Sequence, residues 1–198
     1  MSQIPARKRV AVLISGRGSN MAALVEAAKA ADYPAEIALV ASNKPDAEGL
    51  SFARQQGIAT FAVSHKGFAD RESFDRAIQA QLLENSIDLV ALAGFMRVLS
   101  PWFCRQWAGR MINIHPSLLP EFKGVDTHQR ALDAGVHEHG CSVHYVTPDL
   151  DDGPVILQAR VPVLPDDDAI TLAARVLKEE HRIYPLALAL AATTEAAR

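Results

Sequence analysis

Five short, largely apolar runs recur along the first 115 residues: Val10 to Ser15, Glu36 to Ala41, Ala59 to Val63, Ile87 to Ala93 and Met111 to His115. A segment of helical character separates each run from the next. Val10 to Ser15 and Ile87 to Ala93 are apolar almost throughout, the pattern of a parallel strand buried on both faces. Strands joined by helices lie parallel, because the crossover returns the chain to the same end of the sheet, and such crossovers are right-handed. The alternation predicts an α/β fold: one domain over residues 1–198, with a mostly parallel, twisted sheet flanked by helices. The last third departs from this pattern. Gly140 to Thr147 alternates Cys141, Val143 and Tyr145 against Ser142, His144 and Val146. Together with Pro154 to Leu164, whose apolar face is Val155, Leu157 and Val161, it predicts an antiparallel hairpin at one sheet edge.

The helices are readable from their periodicity and their ends. Met21 to Ala31 follows the first strand, and Ala47 to Gln56 is stopped by Gly57. Asp70 to Glu84 sets Phe74, Ile78 and Leu82 on one face and Arg71, Glu72, Asp75 and Arg76 on the other. Ser100 and Pro101 are a helix cap and a first helical residue. Thr127 is read as the cap of a helix running to Ala134. The last helix starts near Asp168 and runs through Glu180 and His181, and Pro185 should kink or restart it.

Composition narrows the function classes. At 198 residues with a net charge of −3, the chain has no general attraction for nucleic acid or membrane surfaces. A chain of this size buries about 70% of its extended surface, so it needs no staples. Two cysteines, Cys104 and Cys141, make no disulfide framework and suggest a reducing, cytoplasmic setting. No run reaches the ~20 apolar residues of a spanning helix. The stretch Met1 to Arg9 is basic without an apolar segment, so no secretory leader is expected.

The chemistry concentrates at Met111 to Pro120. Asn113 and His115 alternate within an apolar run, so an extended chain projects an amide and an imidazole side by side before Pro116 ends the strand. An amide can donate to a developing oxyanion, and an imidazole can move a proton. An imidazole working in both directions is usually oriented by a carboxylate, and Asp149, Asp151 and Asp152 in one tight loop are the candidates. Gly16 to Asn20, between the first strand and its helix, suits a single phosphate group or is a plain tight turn. It lacks the third glycine of a dinucleotide fingerprint and the Lys-Ser/Thr of a Walker loop. The loop Gly94 to Leu99 is either a wall for a flat ligand or a buried connector, and Arg71 by default is a solvated helix residue. His137, Glu138, His139, Cys141 and His144 match no usual zinc spacing, and alternation puts Cys141 and His144 on opposite faces. No Gly-x-Ser-x-Gly elbow is present.

Taken together, Ser15-Gly-Arg-Gly-Ser-Asn20, Ala93-Gly-Phe-Met-Arg-Val-Leu-Ser-Pro101, Asn113-Ile-His-Pro-Ser-Leu-Leu-Pro120, Gly140-Cys-Ser-Val-His-Tyr-Val146 and Leu150-Asp-Asp-Gly-Pro154 resemble the phosphoribosylglycinamide formyltransferase family. These are folate-dependent enzymes of purine synthesis. The likeness runs in order over nearly the whole chain. It implies a Rossmann-like formyltransferase domain whose N-terminal half binds the phosphoribosyl group and whose C-terminal half binds folate. The implied reaction moves a formyl group from the co-substrate 10-formyltetrahydrofolate to the glycinamide amine, without metal. By position, Asn113 would hold the formyl oxygen and contact folate, His115 would be the general acid, and Asp151 would pair with it. Gly18, Ser19, Asn20 and Glu180 match the ribonucleotide site, Arg71, Met96, Arg97, Val98 and Leu99 match the folate pocket, and His144 is a supporting histidine. The implied partners are two small molecules, with no nucleic acid and no membrane, and the chain would be a monomer or homodimer.

The sequence departs from the family at Pro148, usually acidic, and at Asp152, usually the first of two glycines. A 10-formyltetrahydrofolate hydrolase shares the Asn, His and Asp set but adds an N-terminal regulatory domain, whereas here strand one begins at once. Methionyl-tRNA formyltransferases add a C-terminal RNA-binding domain. A non-catalytic phosphate-ligand module would leave Asn113 and His115 unexplained.

Overall fold

The computed structural model describes residues 7–194, so most of the N-terminal stretch read for a leader lies outside the described residues. Strands β1 (Lys8–Ile14), β2 (Ala35–Ser42), β3 (Ala59–Ala62), β4 (Leu89–Leu92) and β5 (Met111–His115) alternate with helices α1 (Ser19–Ala27), α2 (Glu48–Gln55), α3 (Arg71–Glu84) and α4 (Pro101–Gln106). Helix α5 (Thr127–Asp133), strands β6 (Glu138–Tyr145) and β7 (Val155–Pro162) and helix α6 (Ala169–Thr193) complete the chain. The sheet order is β3-β2-β1-β4-β5-β6-β7. All pairs through β4–β5 are parallel, and β5–β6 and β6–β7 are antiparallel. The expected parallel sheet with an antiparallel edge hairpin is the fold observed.

Strand alternation sorts the core into two layers. Val10, Val12, Ile14, Ile112, Ile114 and Val143 face α1, α5 and α6, where Leu24, Ala131, Val176 and Tyr184 pack against them. Ala11, Leu13, Leu92 and Met111 face α3 and α4, against Phe74, Ile78, Phe103 and Trp107. Asn113 and His115 share the face of Met111, so they point away from α6. The strand order reverses between β1 and β4, and a ligand crevice opens at such a switch point, beyond the carboxyl ends of the strands. The loops that follow β1 and β4 are the glycine loop and the Gly94–Leu99 run.

Several local expectations are corrected. Helix α1 ends at Ala27 rather than Ala31. The Arg7 guanidinium takes the Ala28 carbonyl, and tighter bonds from Lys29 to Glu26 and Ala30 to Ala27 unwind the end. Asp126, not Thr127, is the N-cap of α5; the Thr127 hydroxyl donates to the Pro116 carbonyl at 2.7 Å instead. Val155 is 45% exposed rather than on a packed face. Pro185 does not restart α6, which continues to Thr193 because Tyr184, Ala187 and Leu188 around it are buried against the sheet. Asp75 was placed on the solvated face of α3, yet it is buried and accepts the Ser100 N–H at 2.6 Å. It lies three residues before Ile78 and seven before Leu82, on the apolar stripe itself.

Tyr184 ties α6 to the switch point: its hydroxyl donates to the Leu92 carbonyl at 2.8 Å in a fully buried setting. Tyr184→Phe removes a donor from a fully buried carbonyl site and should cost about 1 kcal/mol. A lowered urea midpoint at unchanged slope is the expected result; an unaltered midpoint would show that this bond contributes nothing.

Candidate active site

The end of β5 meets the acidic loop. His115 Nδ1 lies 3.4 Å from Asp151 Oδ2, and both side chains are buried. His115 Nε2 faces the Phe122 carbonyl at 3.0 Å. Each ring nitrogen therefore faces an oxygen, one at hydrogen-bond distance and one slightly further off. Asp151 Oδ2 also accepts the Gly124 N–H at 2.9 Å. The loop reaches this position through unusual backbone. Asp151 has φ 49°, a region where non-glycine residues carry strain. Gly153 packs so tightly that a Cβ there would lie 1.7 Å from the Tyr145 carbonyl oxygen, and only glycine fits. The Tyr145 N–H donates to the Pro154 carbonyl at 2.9 Å, closing the loop onto β6.

Asn113 is paired with His144 across the β5–β6 ladder. Next to His144 the β6–β7 register shifts, a bulge of the kind that re-aims a side chain. His144 Nδ1 donates to the Tyr145 carbonyl at 2.9 Å, which leaves Nε2 as an acceptor for Asn113 Nδ2 at 3.3 Å. Burial pushes the His144 pKa down, against smaller opposing effects of the Tyr145 carbonyl and Asp151, so the ring is neutral and keeps that acceptor. With one amide N–H given to His144, the second N–H of Asn113 has no partner among the described residues. Asp151 Oδ1 is 3.7 Å from His144 Nε2.

A second centre forms at the start of α1. Gly18 is the N-cap at φ 74°, and an added Cβ would meet the Met21 side chain at 2.8 Å. The left-handed turn opens the helix N-terminus, where backbone N–H groups and the helix dipole favour an anion. From the far end of the chain, Glu180 accepts the Asn20 side-chain N–H at 2.6 Å. Burial pushes the Glu180 carboxyl up, and the Asn20 bond partly offsets this. The other amide atom of Asn20, Oδ1, is buried without a partner among the described residues. Gly18, Ser19, Asn20 and Glu180 are thus brought together.

The loop after β4 is part exposed and part buried. Met96 and Val98 are exposed, and Leu99 is buried. The Arg97 guanidinium sits 5.1 Å from the Phe74 ring centre. Among the described residues, no backbone group of Arg97, Val98 or Leu99 makes a hydrogen bond. Arg71, at the exposed first turn of α3, and Arg97 both lie near enough to Asp75 to lower its burial-raised pKa. Sequence reasoning did not anticipate the Phe122 carbonyl, because a main-chain acceptor leaves no side-chain signal. It also passed over Ser142, which lies opposite His115 in the ladder. Its hydroxyl accepts from the Leu119 N–H and Gln158 and donates to the Ser117 carbonyl, holding the loop that carries Phe122. Cys141 faces the α6 layer, where burial raises its thiol to about 12. Among the described residues, no group of three or more His, Cys, Asp or Glu is arranged to hold a metal ion, and no helix is long and apolar enough to cross a membrane.

Comparison with known proteins fits this geometry. A family model described as formyl transferase matches residues 8–188. The chain is 50% identical to phosphoribosylglycinamide formyltransferase of Escherichia coli (strain K12), over 90% of this chain and 84% of that protein. It is 51% identical to the trifunctional purine biosynthetic protein adenosine-3 of Drosophila melanogaster over 93% of its own length, but spans only 14% of that protein. The crystal structure of phosphoribosylglycinamide formyltransferase from Brucella melitensis superposes with a TM-score of 0.90 at 53% identity, covering 96% of this chain and 98% of that one. A strand end bearing an amide and an imidazole, a glycine loop and an inward acidic loop thus sit in a chain that belongs to the formyl transferase family.

Proposed function

We propose that this chain transfers the formyl group of 10-formyltetrahydrofolate to the amine of 5-phosphoribosylglycinamide, a step of purine synthesis. The observation that carries the reading is the convergence of Asn113 with the buried His115 and Asp151 at one strand end. The family supports the same chemistry. In this reading the phosphate sits on the N–H groups of Gly18, Ser19 and Asn20, and Glu180 accepts from the amine. The pterin edge meets the unpaired backbone of Arg97 to Leu99, between Met96 and Val98. Arg71 and Arg97 supply positive charge for the folate carboxylates. Two buried, free cysteines suit a reducing, cytoplasmic setting.

The neutral amine attacks the formyl carbon, and negative charge gathers on the formyl oxygen. The free N–H of Asn113 donates to that oxygen. The folate nitrogen leaves only as it is protonated, and the His115 imidazolium supplies the proton. The attacking amine loses one proton, which restores the imidazolium, so the transfer is proton-neutral overall. Asp151 holds the cation, and neutral His144 holds Asn113.

Three outcomes test this. Tetrahydrofolate should form from 10-formyltetrahydrofolate only when the ribonucleotide is present; equal turnover without it would identify a hydrolase, and no turnover at all a binding module. Asp151→Asn keeps an acceptor for Gly124 but removes the carboxylate beside His115. It should slow turnover by about 10²-fold or more with ribonucleotide affinity unchanged, and a near-wild-type rate would contradict the pairing. Glu180→Gln should weaken ribonucleotide binding while stabilising the fold. The Glu180 pKa is higher in the folded than in the unfolded chain, so its charge opposes folding above the folded value. Glutamine relieves that penalty where the folded carboxyl would be ionised, and the gain should vanish as the pH falls toward the ordinary glutamate range. A gain in melting temperature that did not depend on pH would contradict the assignment.

A further inference from the structure

We infer that Ser15 is a positioning residue that fixes the folate-side loop to the strand carrying the ribonucleotide loop. The inference rests on the formyl-transfer reading above. Ser15 is the last residue before Gly16 and is 4% exposed. Its hydroxyl donates to Asn43 Oδ1 at 2.5 Å and accepts the Met96 backbone N–H at 2.8 Å. Its own N–H donates to the Gly94 carbonyl at 3.1 Å. Asn43, also buried, directly follows β2. One side chain therefore joins the carboxyl ends of β1, β2 and β4, on both sides of the switch point.

The chemistry asks for this residue type. The position must donate to a fixed amide oxygen and accept from a fixed main-chain N–H at once. A small hydroxyl does both, a thiol does both weakly, and a methyl does neither. The far end of the same loop is held by Asp75, which accepts the Ser100 N–H at 2.6 Å. Between these two anchors the backbone of Arg97 to Leu99 makes no internal hydrogen bond among the described residues. Its position is therefore set by its ends. Ser15 holds the near end, one residue from the loop that would bind the ribonucleotide. Through it the formyl donor and the accepting amine share one rigid frame, the condition for keeping two reactants in attack geometry.

The test is to measure tetrahydrofolate and phosphoribosylglycinamide binding separately by calorimetry, with steady-state kinetics, in wild type, Ser15→Cys and Ser15→Ala. The expected order of folate affinity is wild type, then Cys, then Ala. Ala should lose about tenfold in folate affinity, with ribonucleotide affinity within about twofold of wild type. In the same variant kcat should fall along with the rise in folate KM, because misplaced donor geometry acts on the chemical step as well. A merely structural serine would lower the melting temperature and weaken both ligands alike, and that result overturns the inference. So does an Ala variant that binds folate as tightly as wild type. If Ser15→Ala does not fold, Asn43→Ala, which removes the acceptor and leaves the serine in place, carries the same selective expectation and the same refutation. Failure of the wild type to bind folate would overturn the functional reading itself and the inference with it, a result distinct from normal wild-type binding with an unaffected variant.

Discussion

A carboxylate buried beside an imidazole governs the architecture of the site. Asp151 is taken out of water, and a buried charge is tolerated only where donors replace its hydration. Its neighbours are the Gly124 N–H, which donates at 2.9 Å, and the His115 ring, 3.4 Å away. They come from two segments that meet only when the loop after β5 and the loop after β6 are both folded in. The left-handed backbone at Asp151 and the tight seat of Gly153 on Tyr145 are costs of that closure. The charge-assisted contacts at Asp151 offset them. Removing either donor would leave a buried charge short of partners, so the geometry is held as a unit.

The neighbouring polar groups differ in their surroundings. His144 is kept neutral by burial, and its fixed tautomer makes it an acceptor for Asn113. His115, on the adjacent strand, has the Phe122 carbonyl at one ring nitrogen and the Asp151 carboxylate near the other. Glu180, also buried, has Asn20 as its donor, and the unpartnered Oδ1 of Asn20 beside it marks polar capacity left over for a ligand.

Much of this was legible in the sequence. The β5 pair Asn113 and His115 was set by period-two alternation, and the parallel sheet by the regular succession of strand and helix. The glycine loop was recognisable from its place after the first strand. The choice of Asp151 among three aspartates came from the family resemblance, because turn residues have no periodicity to aim them. The charge of Asp75 points to solvent, although its spacing to Ile78 and Leu82 puts it on the packed stripe. Helix α6 does not restart at Pro185, since tertiary packing on both sides overrides local propensity. The Phe122 carbonyl and the Ser15 junction were invisible, because both depend on which strand ends become neighbours.

The most direct measurement is a crystal structure with tetrahydrofolate and phosphoribosylglycinamide bound together. The account predicts that the departing folate nitrogen and the accepting amine lie beyond the carboxyl end of β5, with His115 and Asn113 each about 3 Å from the reacting groups. Either nitrogen found out of reach of both side chains in a closed complex would contradict it.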